Sequence, residues 1–321
     1  MSRAPPAWLL LTFVFAIEGQ AQTPERELAA YGQELAVYQQ SLVRAARDLR
    51  KRKDADSLAA AALFSVRTDP VDALRLTEQA RKVAPDRPEL TLLHMQVCSR
   101  AAGCDAKPVE SEMRKQDPTN GIGWSGDLSR AYEAKDEEAL DAAIAAAGRA
   151  SQFNSYFVTL VASLSEATAK SKSMPLSDAI IAVSGEMAGF GLPDYLSISK
   201  GCAAERLQRP GLLESCRQLA ASLMAGDTII AEMIGVAIAK RAWPVDSTQW
   251  RSAVEARRVS KYRSTALGNL GSIGDWDEAN AEEYLSLIKA HRREQDAFTA
   301  QLVAHGVDPI PPADWFEPEG P

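Results

Sequence analysis

At 321 residues with a formal charge of −7, the chain is modestly acidic, a balance that argues against nucleic acid and anionic membrane surfaces as partners. Its 46% apolar content is enough to bury a core, whether in one large domain, two smaller ones or a repeat array.

The N-terminus, MSRAPPAWLLLTFVFAIEGQAQ, places Arg3 before an apolar run from Trp8 to Ile17 and then the small-residue stretch Gly19-Gln20-Ala21. This is the layout of a cleavable secretory signal, residues 1–21, with cleavage after about Ala21. The run is too short to span a bilayer, which takes about 20 apolar residues. No later segment is long and apolar enough either, so no membrane insertion is expected, and the mature protein is expected to be periplasmic or secreted. Four sections follow: a long helix (22–53), helical hairpins (54–152), an irregular helical region (153–306) and an extended proline-rich tail (307–321).

The first helix carries Leu28, Leu35, Leu42 and Leu49 at seven-residue spacing, with Tyr31, Tyr38 and Ala45 between them. Such a stripe serves either a dimer seam or packing on the following hairpin. The basic run RDLRKRK (47–53) closes this helix, where cations suit the helix dipole. Beyond it, PDRPEL (85–90) and DPTNGIGW (117–124) look alike, with Pro85 and Pro118 33 residues apart. Counted from these prolines, Ala61, Phe64, Ala73, Thr77 and Ala80 set small residues against larger ones, Trp124 opens the next section, and Ile144 and Ala147 fall in that section's second helix.

These positions resemble the tetratricopeptide repeat, a helix-turn-helix unit of about 34 residues, and the chain is similar to exported tetratricopeptide-like proteins of Gram-negative bacteria. The resemblance covers residues 54–150. Asp127, Leu128, Tyr132 and Gln152 depart from the pattern. It implies an all-α fold of antiparallel helical hairpins stacked as an irregular tetratricopeptide-like α-solenoid, with a protein or peptide partner.

In the second half, LSDAIIAVSGEMAGFGLPDYLSIS reads as two helices broken by Gly189, Gly191 and Pro193. GDTIIAEMIGVAIAKRAWP, with Asp227 as its cap, reads as a buried central helix. A helix from about Thr248 to Leu267 follows, then a long C-terminal helix from Asp277 to His305. Five prolines keep the tail GVDPIPPADWFEPEGP from being helical.

Four cysteines in an exported chain favour disulfides. Three connectivities are open, and nearness favours Cys98–Cys104 and Cys202–Cys216. His94 and Cys98 also stand at the i, i+4 spacing of a zinc chelate, but no second histidine lies near, and a pinned turn is the simpler reading. No metal and no cofactor are expected. His291 and His305 fall on a helix face and at a helix end. The acids of DWDEANAEEY (275–284) cluster at a helix start, where the dipole favours them.

The chain is therefore expected to be non-catalytic, a scaffold whose groove holds a peptide or protein. Trp124, Tyr132, Trp315 and Phe316 are the candidate partner contacts. A homodimer through the first helix is the alternative, and a cell-wall glycan enzyme the third reading.

Overall fold

The computed structural model describes residues 25–190, 192–270 and 277–316. The expected signal peptide lies outside them, as do Asp275 and Trp276. The described residues are all-α, with no strand among them and a single isolated bridge, between Asn120 and Gln152. In chain order the α-helices are α1 (Glu25–Leu49), α2 (Ala55–Ser65), α3 (Pro70–Val83), α4 (Pro88–Cys98), α5 (Lys107–Gln116), α6 (Ser125–Glu133), α7 (Glu137–Gly148), α8 (Phe157–Lys170), α9 (Leu176–Phe190), α10 (Tyr195–Gly201), α11 (Leu212–Met224), α12 (Ile229–Ala242), α13 (Thr248–Asn269), α14 (Glu278–Ala290) and α15 (Glu294–Ala304).

Local chemistry sets most of the starts. The carboxylates of Asp54, Asp69, Asp136 and Asp194 each accept from an N–H three residues on, at 2.9–3.1 Å. Pro70, Pro88 and Pro108 occupy first turns, where a missing N–H costs nothing.

The chain divides into two compact units. Of the described residues, the first gathers 25–104, 160–190 and 277–285, and the second 105–159, 192–270 and 286–316.

In the first unit α1 packs on α2, α2 on α3 and α9, and α3 on α4. Ala59, Ala60, Ala61 and Ala62 are fully buried, as are Ala73 and Ala80, so small side chains let these helices approach closely. Leu42, Ala45 and Leu49 of α1 are buried, whereas Leu35, Val37 and Val43 stay exposed. The basic run after α1 is tied down within the unit: Arg50 pairs with Asp72 at 2.7 Å, Lys51 with Asp48 and Arg52 with Asp54.

Cys98 and Cys104 are bonded, and Gly103 between them takes a φ of +80° that suits a residue without a Cβ. The Cys98 sulfur is thus used in a covalent bond, and His94 Nδ1 lies 2.7 Å from Thr77 Oγ1 in the core. The stretch LHMQVCSRAAGC is a pinned turn rather than a ligand set.

In the second unit α6 pairs with α7, α7 with α11, α11 with α12, and α12 with α13. A close approach of backbone to backbone is at Gly235 of α12, where an added Cβ would stand 2.6 Å from the Met224 nitrogen and 2.8 Å from the Ala220 oxygen. Cys202, just past α10, is bonded to Cys216, which lies one turn inside α11 and not at its start. Gln152 shows why that position is not proline. Its N–H donates to the Thr119 carbonyl and its side-chain amide to Asp117, tying two loops together. Proline could make neither bond.

Two expectations are corrected here. The helix expected from Asp277 to His305 is two helices, α14 and α15, interrupted at residues 291–293. Arg293 leaves the helical conformation because its side chain donates to the Gly226 and Met224 carbonyls, and Glu294 starts α15 bound to the loop before α12. The second correction concerns Asp227. Thr228, one residue later, caps α12 by accepting from the Ala231 N–H, and Asp227 instead accepts from Ser155 and Phe157 at the start of α8.

Candidate binding groove

Within the second unit, α12 and α13 are joined by a five-residue turn in which Ser247 Oγ accepts from the Trp250 N–H and starts α13. Both helices bury one face in the core, Ala231, Gly235, Ile238, Ala239 and Ala242 on α12 and Ala253 on α13. Between them lies a cavity of about 310 Å³. Met233, Val236, Ala237 and Ala256 make its apolar wall, Lys240, Arg241, Arg257 and Lys261 its cationic side, and Glu232 its acidic end.

The two ends differ in electrostatics. Arg241 Nη1 donates to the Ser199 carbonyl at 3.1 Å, which holds its guanidinium at the rim. Glu232 accepts from Gln295 Nε2 at 2.9 Å, and burial raises its carboxyl above the ordinary range. Four cations and one acid with a weakened charge give a positive furrow in a negative protein.

Acid–base catalysis across a cleft needs two groups facing one substrate bond. Glu232 is the one carboxylate lining the groove, and Ser260 is its one hydroxyl, with no histidine on the lining to activate it. Among the described residues no group of three histidine, cysteine or acidic side chains is placed to hold a metal ion. Charged side chains stand on one side of the groove and apolar ones on the other.

A second arrangement uses other residues of α13. The tail segment 309–316 lies along the helix: Arg263 Nε donates to the Pro309 carbonyl at 3.1 Å, and Arg258 Nη1 to the Pro312 carbonyl at 2.9 Å. Trp315 meets Tyr262 edge-on, with ring centroids 5.4 Å apart. Arg258 is itself held by both oxygens of Glu255.

The four aromatic residues singled out from sequence have separate fates. Trp315 is half-buried on Tyr262, while Phe316 beside it is 81% exposed. Trp124 is half-buried under the Arg114 guanidinium, 4.3 Å from its ring centroid, and Arg114 is in turn paired with Asp127. Tyr132 is half-buried on α6. Neither Trp124 nor Tyr132 lines the groove. Of the acids near Trp276, Asp277 caps α14 through the Asn280 N–H, and the Glu278 carboxylate accepts from the Leu176 and Ser177 N–H groups at the start of α9. They are helix-start groups.

The groove itself was missed in the sequence, although a signal was there. Met233, Ala237, Lys240 and Arg241 recur at helical spacing, so the helix is apolar toward the core and cationic at one end of its outer face. A scan against protein-family models, a search of curated proteins and a search of solved structures each return no match.

Proposed function

We propose that the protein is an exported, non-catalytic binding scaffold of the cell envelope whose α12–α13 groove holds an extended, acidic segment of a protein partner. The observation that supports this most is the pairing of an apolar wall with Lys240, Arg241, Arg257 and Lys261 in one furrow. Charge of one sign in a cleft steers an oppositely charged segment and fixes its register, and the apolar wall supplies contact area. Two disulfides are compatible with an oxidising compartment outside the cytoplasm, and no helix among the described residues is long and apolar enough to cross a membrane.

A photo-cross-linking residue at Ala237, in the tagged protein within its native envelope, tests the reading. The expected result is a discrete protein adduct that disappears when Lys240 and Arg241 are both changed to Glu. Adducts with copies of itself alone, or an adduct indifferent to the charge reversal, would sink it.

One observation favours a second reading, self-assembly through α1: Leu35, Val37 and Val43 are apolar and exposed on that helix. Sedimentation over a concentration series separates the two. A mass that doubles with concentration, and stays monomeric in Leu35→Glu/Val37→Glu, assigns the function to assembly.

A further inference from the structure

We propose that Arg258, Tyr262 and Arg263 form an exchangeable clamp for an extended, proline-rich segment bearing an aromatic residue, and that residues 309–316 are its resident occupant until a partner's segment of that chemistry displaces them.

The clamp reads main-chain carbonyls. Both arginines donate to carbonyl oxygens of prolines, Pro309 and Pro312, rather than to side chains. Proline has no N–H, so a proline-rich segment enters neither helix nor ladder and leaves its carbonyls open to outside donors. The one side-chain feature the clamp reads is aromatic, the edge of one ring against the face of the other in Tyr262 and Trp315. Any chain with carbonyls at this spacing, followed three residues later by Trp, Tyr or Phe, offers the same contacts.

The resident segment is lightly held. Of its side chains Pro311 is buried and Trp315 half-buried, while Ile310 is 65% and Phe316 81% exposed. Its hold derives from attachment. The link from α15 is short, residues 305–308, with Gly306 at φ +71° turning the chain back. A short tether gives an effective concentration of about millimolar. A free segment of equal intrinsic affinity must reach about that concentration to displace the tail, and a tighter one displaces it at a proportionally lower concentration. The tail thus sets a threshold for entry. The partner is distinct from the acidic segment proposed for the groove, because these residues are not those lining it.

The test uses the full chain and a fluorescein-labelled synthetic peptide of residues 307–316, VDPIPPADWF, followed by fluorescence anisotropy. Trp315→Ala loosens the resident tail and leaves the clamp intact. The peptide is expected to bind this variant about tenfold more tightly than wild type. Adding Tyr262→Ala, or Arg258→Ala with Arg263→Ala, is expected to abolish that gain, with the helical circular-dichroism signal unchanged. A peptide in which the three prolines are alanine is expected to bind weakly.

Equal binding to wild type and Trp315→Ala, or binding indifferent to all three clamp residues, overturns the proposal. If the wild-type mass rises to that of a dimer and the labelled peptide reverses it, the occupant is a second copy exchanging tails, and assignment to a separate partner is overturned. Loss of the Ala237 adduct on charge reversal reports on the groove, so either surface can fail without the other.

Discussion

The main-chain N–H of Glu294 donates to the Asp227 carbonyl at 2.8 Å, and the Glu294 carboxylate reaches back to the N–H of Ile229, two residues past Asp227. Two helix starts, α12 and α15, therefore hold each other. The arrangement concentrates charge: Asp227 and Glu232 stand near Glu294, and Arg293 and Arg263 act on Glu232.

This cluster predicts a pH dependence. Burial, with the nearby carboxylates, pushes Glu294 up to about 7, from an ordinary 4.5. A carboxyl raised on folding binds more protons in the native state, so between those values stability rises as pH falls. The full shift corresponds to about 3 kcal/mol, an upper value because Glu294 keeps some solvent contact. Glu294→Gln retains an acceptor for the Ile229 N–H. Thermal melts from pH 5 to 8 are expected to slope downward for wild type and to flatten for the variant. An unchanged slope in Glu294→Gln would show that the cluster does not titrate in this range.

The next prediction concerns Glu110, almost fully buried, whose two oxygens accept from Arg130 at 2.6 and 2.7 Å. Gly126 leaves room for it, since a Cβ there would stand 2.0 Å from the Glu110 carboxylate. Arg130→Ala strands the charge and is expected to cost about 3 kcal/mol in urea unfolding. Glu110→Gln is expected to cost less, because no bare charge remains.

Gly235→Ala gives a separate test of packing. The new methyl meets backbone rather than a flexible side chain, so α11 and α12 must part. Overpacking of this kind costs about 1–3 kcal/mol. A lower urea midpoint is expected, together with weaker cross-linking from Ala237 on the same helix.

The two disulfides are expected to differ in accessibility. Cys202 and Cys216 are both fully buried, whereas Cys104 is partly exposed. Mild reduction followed by alkylation and mass spectrometry should label Cys98 and Cys104 first. Replacing a bridge by serines is expected to cost about 2 kcal/mol for the shorter loop and about 3 kcal/mol for the longer. Labelling of Cys202 and Cys216 first would contradict the burial.

Much of the helical plan was legible because its signals are local. Asp54, Asp69, Asp136 and Ser247 sit beside the amides they cap, and Gly189 with Pro193 marks the break after α9. The break at 291–293 was not legible. KAHRREQDAF contains neither glycine nor proline, and its cause is the hold of Gly226 and Asp227 on Arg293 and Glu294, more than 60 residues away. Asp227 was misread for the same reason, since two adjacent residues both suit a cap and only the fold shows that Asp227 serves Ser155, 72 positions earlier. The groove likewise exists only once 232–241 and 256–261 lie side by side. Trp315 rests on Tyr262, 53 positions earlier, a contact that only the fold brings about.

Each compact unit is assembled from three separated stretches of chain, the first closing with residues 277–285 and the second with residues from 286 onward. A contiguous fragment that holds the whole of one unit therefore also carries part of the other. A truncation before residue 277 removes a piece of both at once, whereas one after residue 285 touches the second unit alone. During synthesis neighbouring helices can pair as they emerge, but the first unit is not complete before residue 285 and the second not before the stretch beyond it. Until then each unit lacks the stretch that closes it, and the surface that stretch covers stays open to solvent.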